Sequence, residues 1–301
     1  MRPGWRLLIF LAIAAALFAV EGLIARVVMR GTSQHFSFTP GSLMVAEGAS
    51  FAAIWIASFI MAAMEKRTLG DYGLPWQKAL RGEFWWGTVS GFASISVLIG
   101  SFSVSRVFHF DGLALHGIDI WRYGFLWSAV FLLVGLFEEF GFRGYTLSAL
   151  ADGIGFWPAA LLMSALFGYV HHNNSGETWL GAFSAGEIGL VFCLMLRRSG
   201  CLWLPIGFHA AWDWGETFFY GVPDSGQVAA GHLLNTSMSG PVWLTGGSVG
   251  PEASWLCILL VAIIALITHM ALPEAKYPLP RSAVPSPDPG TTAPTLNVET
   301  T

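Results

Sequence analysis

The sequence predicts an all-α, polytopic membrane protein of about eight transmembrane helices. Three observations carry this. Hydrophobic residues make up 54% of the 301-residue chain and charged residues 11%, against about 25% charged in a soluble domain. The charges cluster between apolar runs, most of them long enough to cross a hydrocarbon core of about 30 Å. No segment shows the apolar-polar alternation of a membrane β-barrel strand. A net charge of −4 supplies no basic surface, so no nucleic-acid partner is expected.

The spans follow in order. The first covers Trp5 to Met29, the second Leu43 to Met64 and the third Phe84 to Val107. The first is longer than the apolar part of a signal peptide, and Glu21 and Arg26 do not form a cleavage site. The fourth covers Trp121 to Leu150, the fifth Phe156 to His172 and the sixth Trp179 to Leu196. The seventh covers Cys201 to Tyr220 and the eighth Ala253 to Leu272. Trp5, Trp85, Trp86, Trp121 and Trp203 stand near span ends and read as interfacial anchors. Three segments are expected: N-terminal helices over 1–120, a core over 121–272 and a disordered tail over 273–301, rich in Pro, Ser and Thr.

Orientation follows from the short loops. Lys66, Arg67, Lys78 and Arg81 lie between spans two and three, and Arg197 and Arg198 between spans six and seven. With eight spans these loops and both termini share one side, expected to be cytoplasmic, in a bacterial plasma membrane. Arg26, Arg30, Arg106 and Arg122 oppose this on the other side. The three cysteines, Cys193, Cys201 and Cys257, have no disulfide or C-x-x-C spacing and read as small core residues.

Ionisable groups inside spans cost about 2.5–3.5 kcal/mol each on insertion scales and mark function by default. Span four carries Glu138, Glu139 and Arg143 within LLVGLFEEFGFRGYTL. Span five ends in His171 and His172, and span seven carries His209 and Asp213. At 1.5 Å per residue from one membrane side, Glu138, His171, His209 and Asp213 lie about 18, 22, 12 and 18 Å deep. They converge on one level. Glu139 and Arg143 share a helix face, as do His209 and Asp213. Glu138 points about 100° away from Glu139, flanked by Gly135 and Gly141, which leave room for a water or for a neighbouring backbone. Gly168 stands in the same relation to His171. Glu139 with Arg143 thus reads as a structural pair and Glu138 as the open carboxylate. Glu21, Glu47, Glu187 and Glu216, taken singly, read as structural. His35, His109, His116 and His232 lie in loops.

This set suits hydrolysis. A desolvated carboxylate can act as general base on a water, with one histidine shuttling the proton and another donating to an oxyanion. Glu138, His171 and His209 could equally ligate a zinc or other divalent metal that activates the water. Spacing does not separate the two schemes.

The motifs E-E-x-x-x-R at Glu138, Glu139 and Arg143, F-x-x-x-H from Phe167 to His171, and H-x-x-x-N/D from His209 to Asp213 resemble those of the CPBP family of intramembrane proteases, which includes type II CAAX prenyl endopeptidases. The resemblance covers roughly residues 121–220. It implies an eight-helix fold with an intramembrane catalytic cavity, and an endopeptidase acting on a membrane-associated protein substrate, CAAX-type or other. It makes Glu138 and His171 the water-activating pair and gives the oxyanion to His209 and the residue at Asp213. Glu139, Arg143 and Phe167 support the site. The family is labelled metalloendopeptidase, and a metal-free glutamate mechanism is also argued for it. Asp213 stands where Asn is common, and an ionised Asp cannot donate a hydrogen bond. It is protonated, orients His209, or ligates metal. His172 adds a proton relay or nothing. Two other classes remain: a non-catalytic scaffold or bacteriocin self-immunity protein, and an ion-coupled transporter. The repeat symmetry of a transporter is missing. H-E-x-x-H and G-x-G-D do not occur, and GAFSAG around Ser184 is only faintly like a rhomboid loop.

Overall fold

The computed structural model describes residues 2–29, 38–174 and 176–278. Arg30, His35 and the tail beyond Pro278 lie outside the described residues. Helices α1 (Pro3–Met29) and α2 (Pro40–Glu65) form an antiparallel pair. The start of α2 is fixed by Thr39 and Ser42, whose side chains each accept the other's backbone N–H, with Pro40 pre-set for the first turn. Helix α3 (Gly82–Val104) precedes strand β1 (Phe108–Leu113). Then α4 (Ile118–Phe140) passes through a π-helical turn, Gly141–Tyr145, into α5 (Thr146–Ile154). Helices α6 (Phe156–His171), α7 (Trp179–Ser199) and α8 (Trp203–Asp213) follow, and α8 continues as a π-helical run, Trp214–Tyr220. Strand β2 (Leu234–Met238), the single turn α9 (Val242–Thr245) and α10 (Trp255–Ala271) complete the order.

The architecture is the all-α membrane class expected. Among the described residues, five helical stretches are long and apolar enough to cross a membrane: α1, α2, α3, α4 through α5, and α7. Helices α6 and α10 are apolar but shorter, and α8 with its π run occupies the segment where the seventh span was expected. Two features depart from expectation. The fourth span is broken at Gly144 (φ −81°, ψ −116°), so its two halves point differently. The loops also form an antiparallel two-stranded sheet that pairs Phe108 with Met238 and Leu113 with Leu234. Backbone groups at that end satisfy each other in a ladder, which a helix-only reading does not anticipate.

Close helix crossings set the core. A Cβ added to Gly87 or Gly91 of α3 would lie 2.1 or 2.2 Å from the carbonyl oxygens of Leu204 and Phe208 in α8. One added to Gly207 would lie 2.1 Å from the Phe84 oxygen. Only glycine lets these two backbones approach so closely. Gly168 plays the same part between α6 and α7, 2.4 Å from the Ala182 oxygen.

The basic loops and both described chain ends meet at one end of the bundle. There Arg6 forks onto Glu65 (2.7 and 2.8 Å) and reaches Asp152 (2.5 Å). Glu65 also accepts the hydroxyls of Tyr145 (2.5 Å) and Tyr72 (3.0 Å). Of residues 273–278, where the tail was expected to begin, Tyr277 is buried and the others are exposed. The amides of Lys276 and Tyr277 donate to the Arg197 carbonyl, and Tyr277 is buried against Phe156. Trp203 departs from its expected interfacial role, being buried with its indole N–H on the Pro75 carbonyl (2.9 Å). Trp5, Trp85, Trp86 and Trp121 are exposed, as anchors require.

Candidate active site

Four elements deliver the polar groups. Glu138 and Glu139 occupy the last turn of α4, and Arg143 sits in the π turn that follows. His171 ends α6, while His209 and Asp213 lie one turn apart on α8. The structure brings Glu138, His171, His209 and Asp213 together. Glu138 Oε2 lies 4.0 Å from His171 Nε2 and 3.8 Å from His209 Nε2. Asp213 Oδ2 lies 3.4 Å from His209 Nε2.

The far nitrogens of both imidazoles are tied down. His171 Nδ1–H donates to the Phe167 carbonyl at 2.9 Å, and His209 Nδ1–H to Glu139 Oε1 at 3.0 Å. A carbonyl and a carboxylate can only accept, so each bond places the proton on Nδ1 and turns Nε2 toward Glu138. Among the described residues Glu138 Oε2 has no hydrogen-bond partner. Its distances to both Nε2 atoms are too long for a direct hydrogen bond and fit a bridging water.

Glu139 makes the expected contact with Arg143 and has a second partner besides. Its Oε1 accepts from Arg143 Nη1 (3.2 Å) as well as from His209, and Glu139 and Arg143 are 0% exposed. Adjacent carboxylates, about 100° apart on the helix, therefore face opposite nitrogens of one imidazole. The Arg143 guanidinium lies 4.2 Å from the Phe167 ring centre and 5.7 Å from that of Phe192, so aromatic faces replace its lost hydration. Phe167 thus holds His171 through its carbonyl and Arg143 through its ring. Gly135 admits a neighbouring backbone: a Cβ there would meet the Ile206 oxygen at 3.2 Å.

Glu138, His171, His209 and Asp213 line a cavity of about 440 Å³. Leu43, Phe131 and Val134 of α2 and α4 line it, with Glu47 of α2 beside them. Asp224 and Glu252 line it from the loops between the π run and α10. Phe38, Asn174, Asp224 and Gln227 of its lining lie in connections at the end remote from the basic loops. Sequence reasoning missed three members of this lining. Glu47 reads as a lone structural acid, although Leu43 four residues before it shares its face. Asp224 and Glu252 lie in a connection long enough to signal function. Glu252 is pushed up to about 8, first by burial and then by the charge of Asp224, whose own carboxyl is raised by burial. Glu216, also read as structural, is fully buried and shares the Trp212 indole N–H with Glu252 (2.9 and 3.2 Å). His172 stacks on Trp179 at 3.8 Å instead of lining the cavity. Ser184 donates to the Cys257 sulfur at 3.4 Å.

Two imidazole nitrogens facing a carboxylate oxygen form a donor set that a divalent ion accepts chemically. Among the described residues, however, no group of three His, Cys, Asp or Glu side chains is arranged to hold a metal ion.

Fold and site together define a polytopic α-helical membrane protein with a buried histidine–carboxylate centre. Residues 120–215, from the start of α4 to the π run after α8, match the model of the family described as Rce1-like: type II CAAX prenyl endopeptidase. The match agrees with the CPBP resemblance of the three motifs it contains. At the level of the family, the match supports a membrane endopeptidase of CAAX type. No curated protein matches the chain.

Proposed function

We propose that the protein is an intramembrane endopeptidase that cleaves a peptide bond of a membrane-associated protein. The observation that carries this is the pair of Nδ1-anchored histidines aiming Nε2 at Glu138 Oε2 from 4.0 and 3.8 Å. Glu138 takes a proton from a water bridging to His171, and the oxygen attacks the scissile carbonyl. The same proton passes to the leaving nitrogen as the C–N bond breaks. His209, carrying a second proton on Nε2 opposite the carboxylates of Glu138 and Asp213, donates to the oxyanion. Asp213 is the positioning residue for that imidazolium. A CAAX-type sequence is the substrate expected from the family. With residues 121–272 as the catalytic core and the basic end cytoplasmic, the cavity opens toward the opposite membrane face.

The test compares membrane proteomes of cells expressing wild type and Glu138→Gln, alongside cleavage by purified protein. Glu138→Gln and His171→Ala are expected to lower cleavage by about 10²-fold or more with unfolding temperatures near wild type, and an uncut precursor accumulates. Cleavage at wild-type rates in both variants overturns the reading. A cellular phenotype that survives Glu138→Gln points instead to a non-catalytic scaffold.

A further inference from the structure

A second, smaller chamber of about 50 Å³ abuts the catalytic cavity, bounded by α6, α7, α8 and α10. His171, His209, Asp213 and Glu252 line both spaces. The chamber therefore lies directly beside the groups that act on the scissile bond. Away from them its lining is apolar, chiefly Ala185, Ile188 and Phe192 of α7, Phe208 of α8, and Cys257 and Val261 of α10. Its two other polar members are already engaged. Ser184 donates to the Cys257 sulfur at 3.4 Å, and the Trp212 indole donates to Glu216 and Glu252 at 2.9 and 3.2 Å. This part of the chamber suits an apolar guest. Packed interiors seldom leave such a space, because its walls forgo dispersion contacts. Ala185 keeps it open where a larger side chain would close it.

Resting on the endopeptidase reading, we propose that this chamber receives the side chain of a substrate residue next to the scissile bond, and that Ala185 and Val261 limit that side chain to a small aliphatic group. Position supports this. A peptide carbonyl held between Glu138 and His209 has its neighbouring side chain at the boundary that His171 and His209 share with the chamber. Volume sets the limit. A cavity of about 150 Å³ holds benzene, and about a third of that takes a methyl or isopropyl group but no phenyl ring. Burying the small group against Phe192 and Val261 removes it from water and fixes the bond in front of the attacking oxygen. Ala185 and Val261 touch no reacting atom, so they act on substrate choice and leave the proton transfers to Glu138 and the histidines.

The experiment uses the full-length protein in nanodiscs and lipid-anchored, internally quenched peptides. These differ only in carrying Gly, Ala, Val, Leu or Phe, moved one position at a time through the residues flanking the scissile bond. Binding is read by anisotropy of labelled copies, and cleavage as kcat/KM from fluorescence release. At one position, wild type is expected to favour Val over Gly and over Phe by about tenfold each. Val261→Ala enlarges the chamber and is expected to raise Leu relative to Val by about tenfold. Ala185→Leu fills it and is expected to lower Val relative to Gly by about the same factor. Each ratio is taken within one preparation, so a loss of folded protein cancels, and the wild-type comparison needs no variant to fold. Equal use of Gly, Val and Phe at every position by wild type overturns the proposal, as do ratios unchanged in both variants. Size selection in binding with no peptide cleaved sinks the endopeptidase reading and leaves the chamber standing. Cleavage without size selection does the reverse, and neither binding nor cleavage counts against both.

Discussion

His209 is the residue on which the site turns, because three carboxylates meet its two nitrogens. Glu139 takes Nδ1–H, while Asp213 and Glu138 face Nε2. Asp213→Asn retains the side-chain volume and supplies a donor for the oxyanion, so activity is expected to stay within about tenfold of wild type. Asp213→Ala removes both charge and donor and is expected to lose about 10²-fold or more in kcat, with KM little changed. Steady-state kinetics on one peptide distinguishes the two. A second prediction concerns Glu252, whose carboxyl is pushed up from the usual 4.5 to about 8 by burial beside Asp224. The folded state therefore binds this proton more tightly than the unfolded chain. Its stabilising effect is full below about pH 4.5 and is lost as pH rises through about 8. Unfolding temperature in detergent is expected to fall from pH 5 to pH 8 in wild type, and to fall less in Glu252→Gln. Residue identity made Glu138, His171, His209 and Asp213 legible, since charge inside an apolar run is costly wherever it occurs. The second partner of Glu139 was not legible. Helical spacing reports neighbours within one helix, whereas the contact with His209 crosses from α4 to α8.

At the scale of elements, the sequence showed where helices lie better than how they bend or touch. Trp179, Phe156 and Pro40 mark true helix starts close to where hydropathy puts them, because a capping group or a preceding glycine stands at each. The break at Gly144 left no such mark. An apolar run reads the same through an α or a π turn, since composition carries no hydrogen-bond register. The sheet of β1 and β2 was hidden for a related reason: its strands are short, largely polar and distant in sequence. Gly189 of α7 tests how tightly one element holds another's charge. A Cβ there would stand 2.4 Å from Arg143 Nη2 and 3.3 Å from the Phe167 ring. Arg143 is fully buried and has little room to withdraw. Gly189→Ala is expected to cost about 1–3 kcal/mol through overpacking, with cleavage falling at least tenfold as Arg143 and Glu139 shift. Thermal unfolding and kinetics on the same preparation check both effects.

For the whole molecule, the family-matched segment 120–215 does not stand alone. Helix α3 lies outside it yet crosses α8 at backbone contact, with Gly91 facing the Phe208 carbonyl beside His209. Gly91→Ala is expected to destabilise the fold by about 2 kcal/mol or more and to lower activity as strongly as changes near the site. Wild-type activity and stability in that variant would contradict the crossing. Helix α1 reaches the same segment through Arg6, Glu65 and Tyr145. Tyr145 closes the π turn that contains Arg143. That turn has one more consequence. An α-helix repeats every 3.6 residues, and a π turn slips one extra residue into the cycle. Residues after it are out of phase with those before it. The stretch 118–140 accordingly leans on α2 and α8, whereas 146–154 leans on α1 and α6. Deleting a single residue between Gly141 and Tyr145 would restore phase, turn Arg143 off its carboxylate, and swing the second half of the stretch away from both its neighbours. The chain's longest helical stretch works only because it is miscounted by one.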